Sequence, residues 1–189
     1  MKVKVGVSAR HMHVTEEGLE ILFGKRYELH SKRDLSQPGQ FASEEVVKIK
    51  TEKGEIDKVR ILGPVRSYNQ VEISKTDAVK LGINPPVRDS GDIKGSAPIT
   101  IVGPNGVLRL EEGCILATRH IHISREDREK YGLNEDTVAV KIATEKGAIL
   151  ENVKIKEAEP STFELHLDTD DANAHLLSQN DEVEIIGAE

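Results

Sequence analysis

The stretch "VVKIKTEKGEIDKVRIL", Val46 to Leu62, alternates apolar and polar residues on either side of a Lys53-Gly54 turn, and reads as a β-hairpin. It recurs as "TVAVKIATEKGAILENVKI", Thr137 to Ile155, with the same "TEKG" at the turn. The likeness extends outward on both sides. Upstream, "RHMHVTEEGLEILFG" from Arg10 corresponds to "RHIHISREDREKYG" from Arg119. Downstream, "QVEISKTDAVKLG" from Gln70 corresponds to "FELHLDTDDANAHL" from Phe163. Three blocks in the same order imply an internal duplication. The offset is 109 residues at the histidine pairs and 93 at the hairpins, so the first half carries extra chain between them. That excess falls in "YELHSKRDLSQPGQFA", 27–42, whose Ser, Gln, Pro and Gly content predicts a loop.

Short strands punctuated by turn residues dominate the remainder. Val3, Val5 and Val7 alternate with polar residues and glycine, and "ITIVGPNGVLRL" turns at Asn105-Gly106. Brief helices are expected at Glu16 to Phe23, Thr76 to Leu81, Arg125 to Tyr131 and Asp170 to Leu177. Thr15 and Ser124 fit as N-caps, and Gly24, Gly82 and Gly132 as stops. Without helices of ten to fifteen residues between strands, a parallel α/β sheet is disfavoured. The expectation is a mainly β fold of two related small β-barrel domains with short capping α-helices. Their approximate extents are 1–90 and 91–189, with strands free to swap between halves, and "NPPVRDSGDIKGSAP", Asn84 to Pro98, carries the turn chemistry of a link.

Composition narrows the function. Charged residues make up 31% of the 189-residue chain and the net charge is −7, with no Trp, three Phe and three Tyr. A sequence-independent nucleic-acid binder would need a basic face and stacking aromatics. Cys114 is the single cysteine, so no intrachain disulfide can form, as suits a reducing compartment. It sits in the apolar run "GCILAT", where a buried inert thiol is favoured over a nucleophile. "MKVKVGVSARH" enters a strand pattern at once and resembles neither a signal peptide nor a targeting helix, so a cytoplasmic protein is expected.

The histidine pairs carry the chemistry. On a strand, residues i and i+2 share a face with Cα atoms roughly 6.5–7 Å apart. His11 and His13 therefore project together, as do His120 and His122. One His-x-His alone could equally be a polar strand face. The duplication alters that balance, because it sets Glu72 in "QVEIS" opposite His166 in "FELHLD" as a third member. His11, His13 and Glu72 form one candidate metal set, and His120, His122 and His166 another. Three protein ligands leave a coordination position open, which is the catalytic pattern for zinc, whereas structural sites are closed by four. His30 and His175 have no counterpart in the other half and read as loop and helix-surface residues. Arg66, six residues before Glu72, serves either a surface salt bridge or a second anion held bidentately. No Walker loop or dinucleotide fingerprint is present.

Taken together, "VSARHMH", "LSQPGQFA", "GPVRSYNQVEIS", "DSGDIKGSAPITIVGP", "ATRHIHIS" and "ELHLDTDDANA" resemble the PduL-type phosphotransacylases over nearly the whole chain. These are zinc-dependent phosphate acyltransferases (phosphate propanoyltransferase or acetyltransferase type) built from two β-barrels. The resemblance implies a dinuclear site with two zinc ions per chain, one on His11, His13 and Glu72, the other on His120, His122 and His166. It implies that Arg66 binds phosphate. It further implies coenzyme A contacts at Val7, Ser8, Ala9, Lys53, Arg60 and Asn173, although Lys53 and Arg60 also fit as exposed hairpin charges. Acyl-CoA and inorganic phosphate are the implied substrates, with no nucleic-acid or membrane partner and a homo-oligomeric assembly. No microcompartment-targeting extension is seen before the first strand, which favours free cytosol.

The reaction so implied interconverts acyl-CoA plus phosphate and acyl phosphate plus coenzyme A, with a short propanoyl or acetyl group. Direct phosphate attack on the thioester needs no acyl-enzyme, in keeping with the lack of a convincing nucleophile. The alternative is a metal-dependent hydrolase of a thioester or related substrate, using the same ligands with water. The barrel that usually hosts His-x-His in amidohydrolases needs roughly 250 residues of alternating strand and helix, which this chain lacks.

Overall fold

The computed structural model describes residues 1–186. Contacts divide the chain into a terminal unit, Met1–Ala9 with Thr118 onward, and a middle unit, Arg10–Ala117. Strand β1 (Lys2–Ser8) belongs to the terminal unit. The middle unit follows with β2 (His11–His13), α1 (Glu16–Phe23), β3 (Ser31–Asp34), β4 (Phe41–Lys50), β5 (Glu55–Gly63), β6 (Gln70–Glu72), α2 (Lys75–Leu81), β7 (Val87–Arg88), β8 (Ala97–Val102) and β9 (Val107–Ala117). The terminal unit resumes with β10 (His120–Ile123), α3 (Arg125–Tyr131), β11 (Thr137–Ile142), β12 (Ala148–Glu157), β13 (Glu164–Asp168), α4 (Thr169–Ala174) and β14 (Glu182–Ile186).

Each unit is a closed six-stranded barrel. In the middle unit, neighbouring strands run β4-β5-β2-β6-β9-β8 and return to β4. In the terminal unit they run β11-β12-β10-β13-β1-β14 and return to β11. The sequence of parallel and antiparallel pairings is the same in both, so β10 matches β2, β12 matches β5 and β13 matches β6. Position for position, β1 fills the place that β9 fills in the middle barrel. Closure leaves no free sheet edge in either ring.

Alternation explains the filling of each barrel. Met12, Val47, Ile49, Val59, Ile61, Val71 and Ile101 enclose the middle core. Val3, Val5, Ile121, Val140, Val153, Leu165 and Val183 enclose the terminal one. The helices begin where the sequence places oxygen-bearing caps. Thr15, Ser74, Ser124 and Asp168 each accept a hydrogen bond from a backbone N–H in the first turn. Gly82 and Gly132 end theirs in the left-handed region at φ 65.

Four local expectations change. The 27–42 segment is not all loop, since β3 pairs with β4; its four residues are all exposed, so no alternation marked it. The 84–98 segment is not a link between units: β7 pairs with β9 and the whole segment lies in the middle unit. The chain passes between units at Ala9–Arg10 and again at Ala117–Thr118, a grouping that differs from the repeat halves 1–90 and 91–189. Finally, α4 stops at Ala174 rather than Leu177, with His175 as its C-cap and Leu176 at φ 55, outside helical space.

Candidate metal centres

Strand β2 presents His11 and His13, and the antiparallel register of β6 sets Glu72 directly opposite His11. Ligand atoms of the three side chains lie within 4.8 Å of one another, and all three residues are buried. His11 Nε2 is 3.4 Å from Glu72 Oε2, and His13 Nε2 is 3.8 Å from Oε1. Burial by itself raises the Glu72 carboxyl, but the charge and hydrogen bond of His11, with His13 behind it, outweigh burial and hold Glu72 well below the usual carboxylate range. Burial, helped by positive charge at His11 and Arg66 and opposed by Glu72, brings His13 down to about 4. His13 is therefore neutral near pH 7, the form whose lone pair can bind a cation.

The terminal unit repeats the arrangement. His120 and His122 project from β10, and His166 on β13 stands opposite His120. Their ligand atoms too lie within 4.8 Å of one another. His120 Nδ1 donates to the Thr118 carbonyl at 2.8 Å, which leaves Nε2 as the nitrogen with a lone pair. That Nε2 lies 3.1 Å from His122 Nε2.

A divalent metal fits both sets on chemical grounds. The terminal set offers three imidazoles and the middle set two imidazoles and a carboxylate, with no thiolate in either, and zinc accepts both donor types. The Nδ1 bond from His120 to a backbone carbonyl is the usual support of a metal-ligating imidazole. In the middle set, the buried His13 ring faces the Leu62 backbone, and its Nδ1 has no well-aligned hydrogen bond there.

The surrounding contacts are also repeated. Arg10, beside His11, donates from Nε to Asp77 at 2.9 Å, in the first turn of α2. Arg119, beside His120, grips Asp171 of α4 with two bonds of 2.7 Å. Each arginine thus ties a histidine strand to the helix that follows the third member of the set. Gln70 Nε2 donates to Glu72 Oε1 at 2.7 Å and to Ser90 Oγ at 2.9 Å, while Gln70 Oε1 accepts from the Gly91 N–H at 2.7 Å. Glu164 Oε2 lies 2.7 Å from His166 Nε2. Sequence reading missed Gln70, Ser90, Gly91 and Glu164, although Gln70-x-Glu72 and Glu164-x-His166 stand at corresponding places in the repeat.

The other expected site residues fall as follows. Arg66 lies on the segment after β5, where its N–H donates to the Val14 carbonyl at 2.8 Å, and its charge acts on His13. Arg60 stands opposite His11 across β5 and β2 and donates to the Ser43 carbonyl at 2.6 Å. Lys53 is exposed at the hairpin turn, its stem against Gly82. Val7 and Ser8 end β1 opposite Leu167 and Asp168, and Ala9 follows them. Asn173 is exposed on α4 in the same unit. Of the two unassigned histidines, His30 precedes β3 with an exposed ring bonded to Glu45 at 2.8 Å, and His175 donates from Nδ1 to the Lys146 carbonyl at 3.0 Å. Cys114 is buried in β9, where desolvation pushes its thiol up to about 12, so it stays protonated. A shallow depression of about 560 Å³ in the middle unit, around Phe23, Tyr27 and His30, contains none of the metal-set residues. Among the described residues no helix is long and apolar enough to cross a membrane.

Known proteins resemble this chain over most of its length. The sequence profile of a family described as phosphate propanoyltransferase matches residues 4–178. A phosphate propanoyltransferase of Thermotoga maritima is 50% identical over 185 residues, covering 96% of this chain and 88% of the relative. One from Lachnoclostridium phytofermentans is 52% identical, covering 93% and 83%. A third, from Rhodopseudomonas palustris, is 44% identical, covering 97% and 82%.

Proposed function

Because the chain belongs to the phosphate propanoyltransferase family, we propose that it interconverts propanoyl-CoA or acetyl-CoA plus phosphate and the acyl phosphate plus coenzyme A, with a zinc ion in each three-residue set. It is an acyltransferase, and acyl-CoA and phosphate are its substrates. The observation that carries the metal part of this reading is the pair of open three-ligand clusters.

Zinc held there would supply a Lewis acid for the thioester carbonyl and for the departing thiolate. The chain's own residues do the rest. Arg66 holds phosphate through paired N–H donors and keeps it near the thioester; such positioning is worth several kcal/mol, since phosphate in water is a poor nucleophile. Arg60 and Lys53 offer positive charge to the phosphates of the coenzyme. Val7, Ser8 and Ala9 offer backbone, and Asn173 an amide, to its remaining parts. No side chain takes the acyl group, because the one thiol in the chain stays protonated.

The test is release of thiol from propanoyl-CoA and acetyl-CoA, with and without phosphate, before and after chelation. Phosphate-dependent release that chelation abolishes is expected. Phosphate-independent release would overturn the transferase reading in favour of hydrolysis, and a metal content well below two ions per active chain would overturn the metal reading.

A further inference from the structure

The residue two places before each third ligand is different in the two units, and so is the ligand. In the middle unit the pair is Gln70 and Glu72; in the terminal unit it is Glu164 and His166. Both first members occupy the same register, Gln70 opposite His13 and Glu164 opposite His122. Both are buried, and both touch the ligand of their own strand at 2.7 Å. The chemistry of the contacts is complementary. A carboxylate ligand can only accept, and it meets the amide donor of Gln70. An imidazole ligand has an N–H to donate, and it meets the carboxylate of Glu164.

We infer that Gln70 and Glu164 are the positioning residues of the two metal centres, each matched in hydrogen-bond polarity to the ligand it orients. The inference rests on the metal reading above and goes beyond it by assigning the support of each ligand.

The two networks are held from behind. Gln70 cannot turn its amide over, because Oε1 is occupied by the Gly91 N–H while Nε2 also reaches Ser90. Its Nε2 is therefore fixed as the end that faces Glu72, and one carboxylate oxygen is held while the other lies near His11. Glu164 accepts from His166 Nε2, which assigns the ring proton to that nitrogen and leaves the lone pair on Nδ1. Space for this contact comes from Gly6 on β1, the register partner of His166. A Cβ at Gly6 would come within 2.8 Å of Glu164 Cδ and 2.9 Å of His166 Cδ2. Supporting partners of metal ligands typically change affinity by about 10–100-fold when replaced.

The polarity match makes a rescue experiment possible. Glu72→His alone would set an imidazole N–H against the Gln70 amide donor. Gln70→Glu alone would set two carboxylates together, while keeping acceptors for Ser90 and the Gly91 N–H. The double variant Gln70→Glu with Glu72→His rebuilds in the middle unit the pair that the terminal unit already uses. Metal-free protein would be titrated with Co2+ in competition with a chromophoric chelator, reading the visible spectrum of the bound ion and checking folding by circular dichroism. Each single variant should weaken the middle site by about 10–100-fold and leave the terminal site unchanged. The double variant should bind more tightly than either single one. Glu164→Leu, which removes the acceptor, should weaken the terminal site alone, which keeps the inference open to refutation should a middle-unit variant fail to fold. Two Co2+ ions in the wild-type chain, with purely additive losses in the double variant or no loss in Glu164→Leu, would overturn the inference and leave the metal reading standing. Fewer than two ions in the wild-type chain would overturn both.

Discussion

Glu72 faces His11 across antiparallel strands, with Oε2 3.4 Å from Nε2. His166 faces His120 in the same register of the other barrel. One pairing rule thus sets the third member of both candidate sets, although their side chains differ. A carboxylate carries charge that an imidazole lacks, so the two centres have unequal net charge and are expected to hold metal with unequal strength.

Replacing a ligand tests this directly. His11→Ala and His120→Ala should each lower zinc content from two ions per chain to one, by elemental analysis of the purified protein. Loss of either should reduce phosphate-dependent thiol release by about a hundredfold or more, since a Lewis acid contributes several kcal/mol.

Arg66 offers a separate handle. Charge-assisted hydrogen bonds contribute about 1.5–3 kcal/mol, which is about 10–100-fold in an equilibrium constant. Arg66→Gln should reduce kcat/KM for phosphate by that range. Arg66→Lys should recover little of the loss, because an ammonium cannot offer the paired planar donors. Steady-state rates at varied phosphate give the answer.

Cys114→Ala should retain thiol-release activity, because the thiol is buried and protonated. The cost should be about 1 kcal/mol of stability from lost packing, seen as a fall in Tm of about 2–4 °C. Loss of activity in folded protein would point to an acyl-enzyme.

The His30 and Glu45 pair gives a pH dependence. Its hydrogen bond to Glu45 raises His30 above its ordinary value of 6.5. Burial pushes Glu45 upward, but His30 and backbone donors prevail and lower it below 4.5. The histidine's share of stability is full below pH 6.5 and fades as pH climbs through the raised value. The carboxylate's share is full above 4.5 and fades as pH drops through the lowered value. The difference in Tm between wild type and His30→Gln should therefore be largest between about pH 4.5 and 6.5 and shrink on both sides. A difference that is flat from pH 4 to 9 would refute the coupling.

Much of the fold was readable because the hairpins alternate over most of their length, bulges aside, and the repeat orders the blocks. Both candidate metal sets, whose side chains the fold brings together, emerged from the same comparison, since Glu72 and His166 fall at equivalent positions. What escaped reading has identifiable physical causes. "SKRD" in β3 is wholly exposed, so it carries no apolar period. Ser90 and Gly91 lie in turn-rich chain that looks like linker, and only the folded path brings them to Gln70. The α4 stop depends on Leu176 at positive φ, a conformation that leucine does not advertise. Nor does "KVKVGVS" reveal which barrel it enters, because any strand of that pattern would satisfy either core.

That last ambiguity has a consequence on the ribosome. The middle barrel is continuous in sequence and can close once residue 117 has emerged. Strand β1 is synthesised before it, yet its sheet partners β13 and β14 come from the far end of the chain. At about 5–20 residues per second, β1 waits on the order of ten seconds or more before it can pair. Throughout that interval Val3, Val5 and Val7 form an uncovered apolar edge. Growth conditions or chaperone supply should therefore affect yield mainly through this early strand, whose place in the barrel is filled last.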